Sequence, residues 1–276
     1  MRSIFLMNSL KMVLTMCFLT IFFPLLAMSA IDPALVLYIP FEEGAGETTK
    51  DMSGKGNDGK LAGGVKWTVS GKIGKALEFN GTDSQVLIQS SDSLQPDDSD
   101  FTIEAWINAD PTNVDWARVV DKFYGTGYCL GKVGADLTIG SEFGGNANSF
   151  GSVTPVFDKK WHHVAVVRDI KTIEGEVMSF LYIYVDGKNE NRTIPPNVKL
   201  HNQDTTPVRI GAGDQCCAEG PPEDVAYFFK GTIDEVAIYR KALTEDELKK
   251  DMSQGIPVIA VMPSEKLATT WAEVKK

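Results

Sequence analysis

Short β-forming segments separated by clusters of glycine, asparagine, aspartate and proline dominate the chain from Ala34 to Tyr239. The segment Phe101–Ile107 shows the pattern most clearly, because its apolar and polar residues alternate. Successive side chains of a strand point to opposite faces, so one face carries Phe101, Ile103, Ala105 and Ile107 and the other Thr102, Glu104 and Trp106. Many short strands without interleaved helices are typical of antiparallel sheets packed face to face. The pattern predicts an all-β fold, a two-sheet antiparallel β-sandwich or jelly roll.

Local signals place the strands, two turns and one short C-terminal helix. Asp186-Gly187 and Asn80-Gly81 each suit a two-residue type I′ hairpin, in which both residues adopt positive φ. Thr244 and Glu247 form a capping-box pattern at the start of a helix that is expected to end near Gly255. The predicted strands are Leu35–Phe41, Ala76–Phe79, Gln85–Ile88, Phe101–Ala109, Arg118–Lys122, Cys129–Lys132, Leu137–Ser141, His162–Arg168, Ser179–Val185, Val208–Ile210 and Thr232–Tyr239.

The first residues of the chain differ in composition from the rest. Arg2 and Lys11 precede an uncharged apolar run, and the small residues of Ala27–Ala30 follow it. This order is typical of a secretory signal peptide, which we predict over residues 1–29. If uncleaved, the run is long enough to act as an N-terminal membrane anchor. Both alternatives predict a secreted, periplasmic or cell-surface protein, with one domain over residues 30–252 and a tail over residues 253–276.

The charge of the chain restricts its partners. The 276 residues carry a net charge of −10, whereas a protein that binds nucleic acid needs a basic surface to contact phosphates. Nucleic acid is therefore not expected as a partner, and a membrane is expected only through an uncleaved N-terminal segment. The charge is compatible with calcium and with neutral ligands such as sugars.

Three cysteines remain outside the leader, Cys129, Cys216 and Cys217. An odd number cannot pair completely. A bridge from Cys129 to one of the other two, a ring between the adjacent pair, and reduced thiols all remain open.

Several segments, in this order along the chain, resemble the laminin-G-like, concanavalin A-like jelly roll of bacterial surface proteins. The resemblance covers about residues 34–252 and implies two stacked antiparallel sheets, a structural calcium ion and binding more often than catalysis. The segments are Leu37–Gly44, Lys50–Gly59, Gly71–Gly81, Phe101–Trp106, Trp161–Ala165, Tyr182–Gly187 and Gly231–Tyr239.

Asp51 and Asp234 are the candidate metal ligands. Asp51 opens a loop rich in glycine and asparagine, and such loops supply the hard oxygen ligands that calcium prefers. The resemblance implies that the first and last strands are neighbours, so that Asp51 and Asp234 hold the ion with main-chain oxygens near Glu42 and Gly56. The alternative is an Asx turn at Asp51 and a surface ion pair at Asp234.

Two aromatic residues, Trp116 and Tyr124, are the candidate ligand-binding side chains, because a sugar site needs an aromatic platform. The alternative for Trp116 is packing inside the sandwich. The loop Asp214–Asp224 is a second candidate for the rim of a site. The adjacent His162 and His163 point to opposite faces of a strand and cannot share an ion, and Trp161 is expected in the core.

Catalytic patterns are missing from the sequence. The Glu-x-Asp-x-x-Glu spacing that would place paired carboxylates on one strand of a catalytic jelly roll is absent. The sequence therefore predicts an exported, calcium-stabilised, non-catalytic binding module for carbohydrate or a glycoconjugate. The first alternative is a protein–protein adhesion or scaffold module of the cell envelope. The second alternative is a polysaccharide hydrolase.

Overall fold

The computed structural model describes residues 31–95, 99–122, 127–134, 138–141, 150–190, 205–214 and 225–257. Within them lie eighteen strands, one turn of 3-10 helix at Asp92–Leu94 and one α-helix, α1, at Glu245–Gln254. The strands are β1 (Leu35–Ile39), β2 (Thr48–Thr49), β3 (Gly59–Ala62), β4 (Lys66–Thr68), β5 (Ala76–Asn80), β6 (Gln85–Ile88), β7 (Phe101–Ala109), β8 (Arg118–Lys122), β9 (Tyr128–Lys132), β10 (Thr138–Ser141), β11 (Phe150–Pro155), β12 (Trp161–Ile173), β13 (Glu176–Val185), β14 (Lys188–Asn189), β15 (Val208–Ile210), β16 (Gly213–Asp214), β17 (Val225–Ala226) and β18 (Lys230–Tyr239).

The described strands form two antiparallel sheets. The first has the order β14-β13-β12-β7-β18-β5-β4, and β1 pairs with the second half of β18. The second has the order β11-β10-β9-β8-β15-β6-β3-β2, and β16 and β17 form a separate ribbon. Strands that are distant in the chain lie side by side, so the first strand of the chain meets the last. The predicted antiparallel β-sandwich with one short C-terminal helix is confirmed.

The main hydrophobic core fills the space between the sheets. Ile103, Ala105 and Ile107 of β7 point into it, as the alternation predicts. Phe229 links two other core aromatics, with its ring centroid 6.3 Å from that of Phe79 and 6.3 Å from that of Phe157. Aromatic pairs at this separation add to the free energy of burial.

The outer face of the first sheet is also covered, which the sequence did not predict. Thr102, Glu104 and Trp106, the polar face of β7, are all buried. A second apolar cluster lies on this face and includes Leu243 and Leu248 from around helix α1. A third layer therefore packs against the first sheet, and it encloses charged groups together with apolar ones.

Helix α1 begins with the predicted capping box. The Glu247 amide donates a hydrogen bond to Thr244 Oγ1 (3.3 Å), and the Thr244 amide donates to Glu247 Oε2 (2.9 Å). The helix reaches Gln254 with Gly255 as its C-cap, and Ile256 packs in the outer cluster. Residues 253–256, which belong to the predicted tail, thus take part in the end of the helix and in its packing.

Removal of this cap should weaken the docking of α1. We expect Thr244→Ala to lower the free energy of unfolding by about 1 kcal/mol, because one amide at the helix N-terminus loses its acceptor. Urea unfolding monitored by tryptophan fluorescence measures the change. Ser253→Ala, at the exposed C-terminal end of the same helix, is the control and should cost much less.

The two predicted hairpin turns have different outcomes. Asp186 and Gly187 have φ of 49° and 72° and join β13 to β14, as predicted. The prediction for Asn80-Gly81 was wrong, because β5 and β6 belong to different sheets. Asn80 Oδ1 instead accepts hydrogen bonds from the amides of Thr82 (2.8 Å) and Asp83 (3.2 Å). The asparagine closes a wider turn that carries the chain from one sheet to the other.

Two further observations concern membrane spans and cysteines. In the part of the chain that the structure describes, no helix has the length and apolar character needed to cross a membrane. Cys129 is buried on β9, and Cys216 and Cys217 lie outside the described residues.

Candidate functional site

A buried carboxylate lies at an irregular point of β18. The register of β18 with β7 shifts just after Asp234, where Glu235 adopts a φ of 54°. Asp234 is fully buried, and its Oδ2 accepts hydrogen bonds from the amides of Lys72 (2.8 Å) and Ile73 (3.0 Å), whereas its Oδ1 has no hydrogen-bond partner. Burial raises the pKa of Asp234 to about 7, although hydrogen bonds from the backbone of Ile73, Lys72 and Glu235 oppose the rise. A buried carboxylate with an unpaired oxygen calls for a proton or a cation.

Glu42 holds the other end of the same loop. The Lys75 amide donates a hydrogen bond to Glu42 Oε1 (3.1 Å), and Lys75 Nζ donates to the Glu42 carbonyl oxygen (2.8 Å). A Cβ on Gly74 would lie 2.2 Å from Glu42 Oε1, so the carboxylate approaches closely only because the residue is glycine. The negative charge of Glu42 contributes to the raised pKa of Asp234. The structure thus brings Glu42 and Asp234 together around the loop at residues 71–75.

A third acid and a tyrosine extend the negative region. Tyr38 Oη donates a hydrogen bond to Glu235 Oε2 (2.5 Å). Burial raises the pKa of Glu235 to about 7, against the effect of this bond, and burial together with Glu235 raises the pKa of the Tyr38 hydroxyl. Neutral tyrosine is therefore the hydrogen-bond donor, and no cation is paired with Glu235 among the contacts of the described residues.

Asp51 has a different environment. Its Oδ1 accepts from the amides of Tyr38 (3.0 Å) and Ser53 (2.9 Å), and its Oδ2 accepts from Ser53 Oγ (2.8 Å) and the Asn57 amide (2.9 Å). The bond from the Ser53 amide is the Asx turn that the sequence left as an alternative. Gly56 is exposed with a φ of 80°. Asp51 therefore organises the loop at residues 51–57, and its oxygens are already engaged.

Strand β1 separates the two predicted ligands. The Tyr38 amide donates a hydrogen bond to Asp51, and the Tyr38 carbonyl oxygen accepts one from the Met52 amide. The N–H and C=O groups of Tyr38 therefore point away from β18. Asp51 lies beyond one edge of β1 and Asp234 belongs to the strand at the other edge. Strand β1 therefore lies between the two aspartates, and no hydrogen bond of either one reaches the other.

The fit of a cation differs between these residues. Asp234 supplies an unpaired buried oxygen, and the carboxylate of Glu42 lies beside it. The alternative of a surface ion pair at Asp234 is not observed, because Asp234 is buried. Among the described residues, no group of three or more His, Cys, Asp or Glu side chains is arranged to hold a metal. A calcium ion on Asp234, Glu42, Asp51 and Gly56 stays a prediction.

The predicted aromatic ligand-binding residues have separate outcomes. Trp116 is half-buried, belongs to neither hydrophobic core cluster, and adopts a φ of 67°. The alternative of packing inside the sandwich is thus not observed. Its ring lies beside Gly134, which has no side chain. Tyr124 and residues 215–224 of the second rim candidate lie outside the described residues.

Sequence reasoning missed a second aromatic residue near Trp116. Tyr227 is half-buried with a φ of 52°, and its carbonyl accepts a hydrogen bond from the Arg118 amide (2.9 Å). The Arg118 guanidinium carbon lies 5.6 Å from the centroid of the Tyr227 ring. Positive φ is rare for bulky residues and is concentrated at functional sites. We call Trp116 and Tyr227 the aromatic corner; only the non-local contact with Arg118 reveals it.

The adjacent histidines contact different groups, as predicted. His162 lies within hydrogen-bond distance of Asp186 (2.8 Å) and Asp158 (3.2 Å), whereas His163 Nε2 lies 3.3 Å from Glu104 Oε2 on the other face. Trp161 is half-buried, so its prediction as a core residue was wrong. It begins β12 at the edge of the sandwich, where its side chain is only partly covered.

The two antiparallel sheets packed face to face define a jelly-roll domain as the class of protein. The family model described as the concanavalin A-like lectin/glucanase superfamily, laminin G type 3, matches residues 80–249, and the chain belongs to this family. The resemblance seen in the sequence is confirmed. No curated protein matches the chain in sequence.

Solved structures show the same fold at low sequence identity. The binding domain of Paraclostridial Mosquitocidal Protein 1 has a TM-score of 0.61 and 16% identity, over 80% of this chain and 52% of that one. This chain thus spans about half the length of that structure. Domain 4 of an extracellular arabinanase from Geobacillus stearothermophilus, in complex with arabinotriose, has a TM-score of 0.56 and 18% identity, over 78% of this chain and 97% of that domain. The binding domain of botulinum neurotoxin DC, in complex with rat synaptotagmin II, has a TM-score of 0.57 and 14% identity, over 80% and 51%. Two of these neighbours are binding domains, and the third is a domain in complex with arabinotriose.

Proposed function

We propose that this protein is an exported, non-catalytic module that binds carbohydrate or a surface glycoconjugate and is stabilised by calcium. The aromatic corner is the observation that carries the binding function. Two half-buried aromatic side chains with left-handed backbone are fixed to the same strand end, and sugar sites combine such apolar faces with a few polar groups. The arabinotriose complex of a domain with this fold supports the ligand class.

The binding proposal is tested by glycan arrays and by pull-down with insoluble polysaccharides. We expect a ligand for the full chain, and Trp116→Ala and Tyr227→Ala should each weaken binding about tenfold, equivalent to about 1.4 kcal/mol. Trp67→Ala is a matched control, because Trp67 is also half-buried but lies on β4 at the far edge of the first sheet. Equal losses in all three variants, or arrays without a ligand, would contradict the proposal. The bound polysaccharide should release no reducing sugar.

Calcium is proposed to bind at Asp234 and Glu42, with Asp51 and Gly56 as further predicted ligands. The support is the unpaired Oδ1 of Asp234 and the excess of buried acids around it. A cation that binds only the folded chain raises its melting temperature. We expect calcium to raise the melting temperature of the chelator-treated protein by several degrees.

A matched pair of variants locates the ion. Asp234→Asn keeps an oxygen for the Lys72 and Ile73 amides but removes the charge, and it should abolish the calcium shift. Glu78→Gln removes an exposed acid from β5 and should preserve it. Identical melting curves with calcium and with chelator would refute the calcium proposal and leave the aromatic corner untouched.

A protein partner is the second candidate function. The paired ends of β12 and β13 expose Ile173 and Val177, which are 44% and 67% accessible. Exposed apolar groups on a projecting hairpin favour contact with another protein. The synaptotagmin complex of a neighbour with this fold supports the class of partner. We expect Val177→Lys to abolish attachment of the protein to cells and to leave polysaccharide binding unchanged. This result would support the protein partner as a second function.

A further inference from the structure

A cavity of about 370 Å³ lies far from the aromatic corner, between the start of the described chain, the end of β18 and helix α1. Part of its wall is apolar and is formed by residues that include Ile31, Leu35, Leu243 and Ile256. This volume is within the range of small-molecule sites. The cavity is therefore large enough for a short aliphatic ligand.

The polar end of the cavity is acidic. Tyr239 Oη donates a hydrogen bond to Asp251 Oδ2 (2.8 Å), and both residues line the cavity. The Asp251 carboxyl also interacts with the carboxyl of Glu104, which is fully buried on β7. Burial, followed by the charge of Glu104, raises the pKa of Asp251 to about 7. Asp251, at one end of the cavity, thus meets a second acid behind the cavity wall.

Glu104 lacks the donors that a buried carboxylate needs. Among the described residues, no amide or hydroxyl group donates a hydrogen bond to either of its oxygens, and only the protonated carboxyl of Asp251 can donate one to it. His163 Nε2 is 3.3 Å from Glu104 Oε2 and offers at most one positive charge to two carboxylates. A buried carboxylate without a partner lowers the stability of the folded chain by its desolvation free energy, unless a proton or a cation neutralises it.

The rim of the cavity carries charges of both signs. Asp32 and Glu247 line it together with Lys250, so its wall carries three acids, with Asp251, against one base. Lys241 bridges Asp32 (3.4 Å) and Glu247 (2.5 Å) beside the rim. The walls suit an aliphatic chain and the charged end suits a cation.

We propose that this cavity is a binding site for a primary alkylammonium group, as carried by an aliphatic amine or a lysine side chain, with the ammonium at Asp251. The aliphatic part lies against Ile31, Leu35 and Leu243. The ammonium replaces the proton that the two acids otherwise require, and it donates to the Asp251 carboxylate. The site is independent of sugar binding at the aromatic corner.

Titration of the full chain with n-hexylammonium at pH 8 tests the proposal. We expect saturable heat in calorimetry and a concentration-dependent rise in melting temperature. 1-Hexanol, which has the same chain without the charge, and hexanoate, which has the opposite charge, should bind at least tenfold more weakly. Equal binding of 1-hexanol, or no saturable binding of n-hexylammonium, would overturn the proposal.

Two variants on α1 assign the ammonium position. Asp251→Asn retains an acceptor for Tyr239 Oη and should weaken n-hexylammonium binding at least tenfold. Glu245→Gln removes an acid that pairs with Lys249 on the same helix but does not line the cavity, and it should bind normally. Wild-type affinity should also fall as the pH is lowered from 8 to 5, because Asp251 takes up a proton. Unchanged affinity in Asp251→Asn would exclude the proposed position.

Discussion

Gly211→Ala is expected to destabilise the protein by about 3–5 kcal/mol, the sum of backbone strain and overpacking. Gly211 has a φ of 81°, and a Cβ there would lie 2.2 Å from Cδ1 of Phe79. The Phe79 ring is fully enclosed in the core and packs edge-on against Phe229, so it cannot move away. Urea unfolding at pH 7 measures the loss.

Gly54 supplies a control with the same backbone conformation. It also has a φ of 81°, but a Cβ there would meet no atom within 4 Å. Gly54→Ala therefore introduces backbone strain without a steric clash, and it should lower the free energy of unfolding by about 1–2 kcal/mol. Equal losses in the two variants would mean that the Phe79 contact contributes nothing and that the packing described around Gly211 is incorrect.

Asp251→Asn is expected to increase stability at neutral and alkaline pH. Burial and the charge of Glu104 raise the folded-state pKa of Asp251 to about 7, well above its ordinary range, because both disfavour the charged form. Its ionisation therefore opposes folding, and this penalty grows as the pH rises from about 4 to about 7 and is constant above. A shift of this size corresponds to about 4 kcal/mol. Because the side chain is partly exposed to solvent, we expect about 2 kcal/mol.

The measurement is the difference between the unfolding free energies of variant and wild type from pH 4 to pH 9. The difference should be near zero at pH 4, rise through pH 5–7 and then level off. Asp246→Asn, which removes an exposed acid from the first turn of α1, serves as the control and should give no such rise. A flat curve for Asp251→Asn would show that Asp251 and Glu104 do not repel one another in the folded chain.

The strands with strong local patterns were predictable. Phe101–Ala109, Gln85–Ile88 and Arg118–Lys122 have their predicted limits, because period-two alternation or a run of apolar residues between turn signals identifies each one. The capping box at Thr244 and the turn at Asp186-Gly187 depend on neighbouring residues only. By contrast, β12 and β13 extend further than predicted, since their paired ends are exposed and carry no alternation.

The candidate site was only partly predictable. Asp234 was identified through resemblance, but its buried position and unpaired oxygen depend on the bulge at Glu235 and on the loop at residues 71–75. Tyr227 was not found, because its relation to Trp116 depends on a hydrogen bond between segments more than a hundred residues apart. Glu104 was read as part of a polar outer face, whereas α1 covers it.

The sequence by itself determined the antiparallel sandwich, the positions of its main strands along the chain and the capped helix, because these follow from side-chain periodicity and from hydrogen bonds within a few residues. Only the tertiary structure decided which charged groups are enclosed. Burial depends on what packs above a strand, and helix α1, β1 and the loop at residues 71–75 come from distant parts of the chain. The same packing encloses the carboxyl groups of Asp234 and Glu104, whose burial the local sequence around each residue does not predict.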